Sequence, residues 1–575
     1  MIISQMSKYK NLIFISLAVL IVISPNIYYI FVGQEIQSTF RQFGFLGLST
    51  CLILIPIFFF ARNLRLYLII LLPFVLLAPL NLFFLYLYKY PVTVGILGSI
   101  LGTNFNESME FISGVKTAGA ISLVLIIPLT IFYIYLTVRI NKSLNFRIAL
   151  ILSVLFCFYT GIVYFTPPKN KADAERMTSS RRFEKFETRV LKTYPLGLVL
   201  TFVKYFNERE FIINRQELFK NRPVKAAKNE AVKEKEIYIL ILGETARYNN
   251  FSINNYYPRD TNPNLRSMNN LVSFTDVCSS STETRTSVPL LMTEADVNNF
   301  PTAFTLPSVI TFFKSAGFET YWISNQNSAD INNKSIKVFV NESDNVIYIN
   351  ETTAKFNEEK FKYDKELIPV LNDMLTKSKA NKIFVILHTI GNHYRYDFRH
   401  PPQFDVFKPS MKGMTNVRVD DPATREIKIN SYDNAILYTD YFIFSVIKAV
   451  SSYKAVSTVI YLSDHGEDIF DDDRNLFLHA NKAVTKYVVK VPLIIWFSDL
   501  YRTRYPQKVE ALIKNKDRKI SAHNLLDSML NMADIQYEGR DFDLPESIFS
   551  NKLEFKKREI LTPNYKVVDC DKNVK

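Results

Sequence analysis

Cysteine and histidine are both scarce in this chain: its 575 residues include 4 of the first and 6 of the second. Cys51 and Cys157 lie inside long apolar runs and read as packing residues. That leaves Cys278 and Cys570, enough for one disulfide at most, and their spacing does not say that they pair. A disulfide-dense scaffold is therefore excluded. Also missing is a small-residue cleavage site after the first apolar run, which is long and is followed by others, so a removable signal peptide is not expected.

What the chain has in abundance is apolar sequence, 48% of all residues, crowded into its first third. Its length exceeds that of one ordinary domain. Five stretches carry no acidic or basic side chain: Leu12 to Val32, Phe43 to Phe60, Leu66 to Tyr88, Thr117 to Val138 and Ile148 to Phe165. Each has 18 residues or more, enough to cross a hydrocarbon core of about 30 Å as a helix. A single run of this kind would fit a buried core helix; five in succession predict five membrane spans. Lys8, Lys10, Arg62, Arg65, Arg139, Lys142 and Arg147 fall on one side of them, against Arg41, Lys89 and Lys116 on the other. The positive-inside rule then puts the N-terminus in the cytoplasm and everything after Phe165 outside it, in the periplasm if the cell is Gram-negative.

Residues 169–235 carry 17 Lys or Arg against 9 Asp or Glu, more than half of the chain's net charge of +14. Two readings stand side by side: a basic collar on anionic headgroups or lipopolysaccharide phosphates, and a solvated basic linker. Nucleic acid is not an expected partner. Within this stretch Leu191 to Phe211 mixes apolar, aromatic and end-charged residues, as a helix lying in the membrane interface would.

Downstream, three apolar, β-branched runs end in polar residues: IYILILGE at Glu244, KIFVILHTIGNH at His388 to His393, and STVIYLSDHGED at Asp464 and His465. Strands that deliver polar groups at their carboxyl ends are how an open α/β sheet builds a site. Glu, Asp and His together suit a divalent metal, and the residue types alone leave zinc and manganese both open. Thr284 precedes SVPLL, an apolar stretch able to open a helix, which would set its hydroxyl where free backbone N–H groups receive a phosphate.

Six blocks in order, GETAR (Gly243 to Arg247), STETRTSVPLL (Ser281 to Leu291), HTIGNH (His388 to His393), SYDN (Ser431 to Asn434), SDHGE (Ser463 to Glu467) and LHA (Leu478 to Ala480), resemble the phosphoethanolamine transferases of the alkaline phosphatase superfamily. That group includes lipid A-modifying and colistin-resistance enzymes, so polymyxin resistance comes with the resemblance. The resemblance implies an α/β fold: a transmembrane domain of five helices (1–166), a basic amphipathic linker at the membrane surface (167–235), and a periplasmic α/β/α sulfatase-like catalytic domain (236–575). It implies Thr284 as nucleophile, zinc (one or two ions, in preference to manganese) held by Glu244, Thr284, Asp464 and His465, and His393 and His479 as substrate-phosphate or second-metal residues that move protons. In SILGTNFNE, Thr103 and Glu107 match the family's lipid-headgroup segment, with Ser99 where Asn is usual; a solvated loop is the competing account. His388 is open between a site role and a structural one, while His400 and His523 fall outside the blocks and are expected to be structural.

The activity so implied is transfer of phosphoethanolamine from phosphatidylethanolamine to lipopolysaccharide by a multi-pass protein of the bacterial inner membrane. Lipid A-directed members have a Lys near Asp330, and this chain has none there, which favours a core sugar over lipid A. An arylsulfatase needs Cys or Ser in a C/S-x-P-x-R context, and Thr284-Arg285 cannot supply it. A lipoteichoic-acid-type glycerophosphate transferase, usually manganese-dependent, is the enzymatic rival; a membrane-tethered glycan-binding relative would be expected to have lost metal ligands. The acidic run Asp468, Asp471, Asp472 and Asp473 reads as a solvated loop, with a calcium site as the lesser option.

Overall fold

The computed structural model describes residues 13–32, 39–102, 116–140, 143–166, 179–220, 224–254, 259–326, 335–350, 362–414, 417–419, 421–479, 481, 483–538 and 544–574. The chain packs as two compact units: Met1–Leu97 with Val115–Phe206, and Gly98–Gly114 with Asn207–Lys575. Thr103, Glu107 and Asp330 lie outside the described residues.

In the first unit, three helices among the described residues are long and apolar enough to cross a membrane: Arg41–Phe58, Leu64–Tyr88 and Phe146–Phe165. A fourth is added if Ile13–Val22 and Ser24–Val32, bent by 53°, are one span. The break falls at Ile23, two residues before Pro25, whose ring clashes with the carbonyl four residues back and removes a helix hydrogen bond. The helix Lys116–Arg139 is 24 residues long, but its apolar described part, Ile126–Arg139, is shorter than a span. Among the described residues, three or four of the expected five spans therefore meet the length and composition of a membrane crossing, and the count of five is not confirmed. Asn26 locks this unit to its own later chain, donating to the Tyr194 carbonyl and accepting from the Tyr194 N–H, both at 2.7 Å.

The second unit is built on a seven-stranded sheet ordered Leu271–Ser273, Leu493–Phe497, Ala455–Ser463, Lys235–Gly243, Lys382–His388, Glu319–Ser324, Asn345–Tyr348. Only Leu493–Phe497 runs against its neighbours; the other pairings are parallel. Helices cover a parallel sheet on both faces, which is why its central strands read as unbroken apolar runs rather than alternating ones. Lys235–Gly243 sits at the middle, with later strands added on either side of it, and ligands bind at the carboxyl ends around such a reversal of strand order. Beneath it lies a core that includes Tyr238, Leu240, Leu242, Trp322, Phe384, Ile460 and Ile495.

The acidic run is not a solvated loop throughout. Asp468 and Asp471 are largely withdrawn from solvent: Asp468 accepts from Thr485 (2.6 Å) and Asn481 (3.3 Å), and Asp471 pairs with Arg247 (2.6 Å). A buried guanidinium needs a counter-charge, and this run provides it. His400 and His523 are not in the ligand cluster found among the described residues. His523 is partly exposed beside Glu546. His400 is fully buried, and its burial lowers its pKa to about 4.

His400 sets a pH expectation. An unfolded histidine takes up a proton near pH 6.5, whereas the folded one resists down to about 4, so below 6.5 the unfolded state holds the extra proton. The contribution is intact above pH 6.5 and is lost as pH falls toward 4, about 2 kcal/mol of it by pH 5. Thermal melts of the detergent-solubilised chain at pH 7.5 and 5 should show a larger acid loss for wild type than for His400→Phe; equal losses would remove His400 from the account.

Candidate active site

Register brings the site together. Gly243 lies opposite Ser463 and Leu242 opposite His388, so Glu244 and Asp464 leave adjacent strands at the same level. The turn after Glu244 is drawn toward the second strand: the Thr245 N–H donates to Asp464 Oδ1 (3.1 Å) and the Ala246 N–H to Ser463 Oγ (2.8 Å). On the other side the HTIGNH loop passes over Glu244 at Gly391, where φ is +53° and a Cβ would come within 2.6 Å of the Glu244 carbonyl oxygen. Only glycine fits there. The SYDN block is scaffold: the Tyr432 hydroxyl donates to the Thr245 carbonyl (2.7 Å) and accepts from the Arg247 N–H (2.9 Å), while Asp433 holds Asn250 (2.6 Å).

Thr284 is the first residue of the helix Thr284–Met292. Its hydroxyl lies 3.0 Å from Glu244 Oε1 and 3.1 Å from His465 Nε2. Glu244, Asp464 and His465 are all buried, and one ligand atom from each falls within 4.8 Å of the others. His465 Nδ1 donates to the Gly466 carbonyl at 2.8 Å, which turns the lone pair of Nε2 toward Asp464 (3.4 Å) and Glu244 (3.6 Å). Asp464 Oδ2 is buried without a hydrogen-bond partner. An uncompensated buried oxygen facing a second carboxylate is costly, and a divalent cation is the group that relieves it, so the donor set fits a metal. The electrostatics agree: burial and then Glu244 raise the Asp464 pKa, while Glu244, though burial pushes it up, is held low by His465, His393 and His479.

The sequence-predicted histidines converge on the same place. The His479 ring lies 4.3 Å from that of His465 and 5.9 Å from that of His393. His388 is buried on the strand itself, against Ser324 (3.2 Å) and the edge of Trp322, and is not among the clustered ligands. Two residues escaped the sequence reading. Glu467 accepts from His479 Nδ1 (3.1 Å) and from the Tyr396 hydroxyl (2.7 Å), fixing the tautomer that presents His479 Nε2; burial raises its pKa to about 7. It is the last residue of SDHGE, a signal that was there to be used. Gln326, two residues past the strand Glu319–Ser324, reaches Glu244 Oε2 (3.4 Å) and the Thr389 carbonyl (3.2 Å).

Similarity to known proteins follows the same residues. The chain is 28% identical over 324 residues to phosphoethanolamine transferase EptC of Escherichia coli (strain RS218), covering 56% of this chain and 54% of that protein. It is 30% identical over 312 residues to phosphoethanolamine transferase EptA of Escherichia coli O157:H7, covering 53% and 54%. The matched stretch thus spans about half the length of these curated relatives. Among solved structures, the periplasmic domain of Escherichia coli EptC in complex with Zn superposes with a TM-score of 0.54 at 26% identity, over 61% of this chain and 96% of that one. The integral membrane lipooligosaccharide phosphoethanolamine transferase A of Neisseria meningitidis gives a TM-score of 0.63 at 20% identity, over 84% and 85%; its fold likeness takes in apolar helices as well as the sheet. The sulfatase family matches residues 236–535, just over half of the chain, and the chain belongs to that family.

Proposed function

We propose that this protein is a membrane-bound phosphoethanolamine transferase that takes the group from phosphatidylethanolamine onto Thr284 and passes it to lipopolysaccharide. The observation that carries the reading is the Thr284 hydroxyl at a helix start, within hydrogen-bonding distance of Glu244 and His465 in a buried ligand cluster. The relatives named above as phosphoethanolamine transferases support it.

Glu244, Thr284, Asp464 and His465 would hold zinc, in keeping with the Zn complex of the EptC domain; the ion, when bound, stabilises the threonine alkoxide and polarises the phosphoryl oxygens. In the first step the Thr284 oxygen bonds to phosphorus and the bond from phosphorus to the diacylglycerol oxygen breaks. The Thr284 proton ends on the released diacylglycerol, carried by His393 or His479. In the second step an acceptor oxygen bonds to the same phosphorus as the bond from phosphorus to the Thr284 oxygen breaks; that histidine takes the acceptor hydroxyl's proton and passes it to Thr284, which restores its hydroxyl. Glu467 orients His479 throughout. The positive end of the helix Thr284–Met292 favours the phosphorylated threonine at its first position. Thr103 and Glu107 are assigned to the donor headgroup, Glu107 to its ammonium group. The compact units part at Phe206–Asn207, inside the basic linker read from sequence; the linker is assigned to the membrane surface and the catalytic domain to the periplasm.

A core sugar is the favoured acceptor, because a carboxylate at Asp330 in place of Lys repels a lipid A phosphate. Lipopolysaccharide from cells with and without the protein, split by mild acid into lipid A and core oligosaccharide, should gain phosphoethanolamine in the core fraction by mass spectrometry, with polymyxin resistance nearly unchanged. Gain in the lipid A fraction alone would reverse the acceptor, and gain in neither would reject the transferase.

A further inference from the structure

The chain that leads to Thr284 has little regular structure of its own. Between Asp276 and Glu283 the backbone forms only the two-residue strand Val277–Cys278, yet Val277 to Glu283 are all buried. Val277–Cys278 pairs parallel with Ile520–Ser521, and Val489 and Val491 add backbone hydrogen bonds to Ser279 and Val277; the rest of the support comes from a hairpin almost 300 residues further on, Glu559–Leu561 paired antiparallel with Val567–Asp569. Arg558, 2% exposed, donates to the Asp276 carbonyl (3.1 Å) and to Asp276 Oδ1 (2.8 Å). Cys570 is disulfide-bonded to Cys278. The Leu561 N–H donates to the Ser280 carbonyl (2.8 Å), and Ser281 Oγ donates to the Leu561 carbonyl (2.8 Å).

At the far end of the loop, Arg285 follows Thr284 directly. Its guanidinium pairs with Glu208 (2.8 Å) and lies 3.4 Å from the Tyr565 hydroxyl, which itself donates to Glu208 (2.5 Å). The hairpin therefore grips the loop before, within and just after the stretch that carries the nucleophile. On the inner side Ser287 Oγ donates to the Asp464 carbonyl (2.6 Å), so the same loop is referenced to the ligand cluster.

We propose that the hairpin from Arg558 to Cys570 is a positioning element for the reaction: it sets the Thr284 oxygen in line with the phosphorus, and Tyr565 is its positioning residue nearest the nucleophile. This rests on Thr284 being the nucleophile. Phosphoryl transfer depends on alignment, and a misplacement of about 1 Å costs on the order of a hundredfold in rate. Tyr565 bonds to Arg285 and Glu208, and Cys570 to Cys278; they act through Arg285 and Cys278.

The test uses the full chain in mixed micelles of detergent and phosphatidylethanolamine, with the phosphoethanolamine adduct on the Thr284 peptide followed by mass spectrometry. Tyr565→Phe should form the adduct roughly tenfold more slowly at saturating donor, with the donor concentration for half-maximal rate and the melting temperature little changed. The double variant Cys278→Ser/Cys570→Ser should show the same loss of rate together with a lower melting temperature, and dithiothreitol should bring wild type to its level. A merely structural hairpin predicts otherwise: Tyr565→Phe, folded, would label at the wild-type rate, and that result overturns the proposal even if the double variant fails to fold. Wild type that never labels at Thr284 would instead bring down the nucleophile assignment, and this proposal with it.

Discussion

Thr284→Ala should reduce transfer by about a thousandfold or more, with the protein still folded. Losing the group that forms the covalent bond removes a step rather than weakening one, and such losses far exceed those of single contacts. A thousandfold corresponds to about 4 kcal/mol in the barrier. The cost to folding is far smaller, because the hydroxyl contributes only its contacts to Glu244 and His465, about 1 kcal/mol in net terms. Thr284→Ser keeps the oxygen and should retain part of the activity. The check is adduct mass and transfer rate on samples of matched melting temperature; an adduct on another residue of wild type would sink the assignment.

Asp464→Asn should lose bound zinc and more than a hundredfold of the rate, since replacing an outer-shell partner alone costs 10- to 100-fold and a ligand more. Stability separates this from a folding defect. Without metal, Asp464 and Glu244 oppose each other in a buried site, so removing one charge leaves the metal-free form as stable as wild type or more so. With metal the order reverses: zinc at 100 times its dissociation constant adds about 2.7 kcal/mol to wild type and little to the variant. Elemental analysis and melts with and without zinc give both readings. A metal-free preparation with full activity would end the metal hypothesis, and enrichment in manganese would favour the glycerophosphate alternative.

The parts of this site that sequence revealed are those written locally. Glu244, Asp464 and His465 each follow an apolar strand directly, and pairing between neighbouring strands then brings them together with no further information. Parts that depend on contacts across long separations stayed hidden. Tyr432 supports the Thr245 turn from a helix 187 residues away, and nothing about a tyrosine in SYDN announces that. The run at Asp468 and Asp471 looked solvated because four acids in six residues normally are; Asp471 is held by Arg247, far off in sequence, and Asp468 by Thr485 and Asn481. The first apolar run gave the right composition but not its bend, since periodicity does not weigh a Pro25 near the middle. The hairpin after Arg558 had no motif to mark it, and its bearing on the nucleophile is visible only in three dimensions.

Cys570 follows Cys278 by 292 residues, which at 5 to 20 residues per second is a wait of about 15 to 60 s during synthesis. For that interval Cys278 is a thiol without its mate. In a cysteine-rich chain this would invite wrong bridges, since four cysteines already allow three pairings. Here the other two, Cys51 and Cys157, lie in the apolar helices Arg41–Phe58 and Phe146–Phe165 of the first unit, Cys51 buried and Cys157 exposed on its helix, so of the three pairings only one keeps each bridge within a single compact unit. The scarcity of cysteine therefore lets the folding of each unit choose the partner of Cys278.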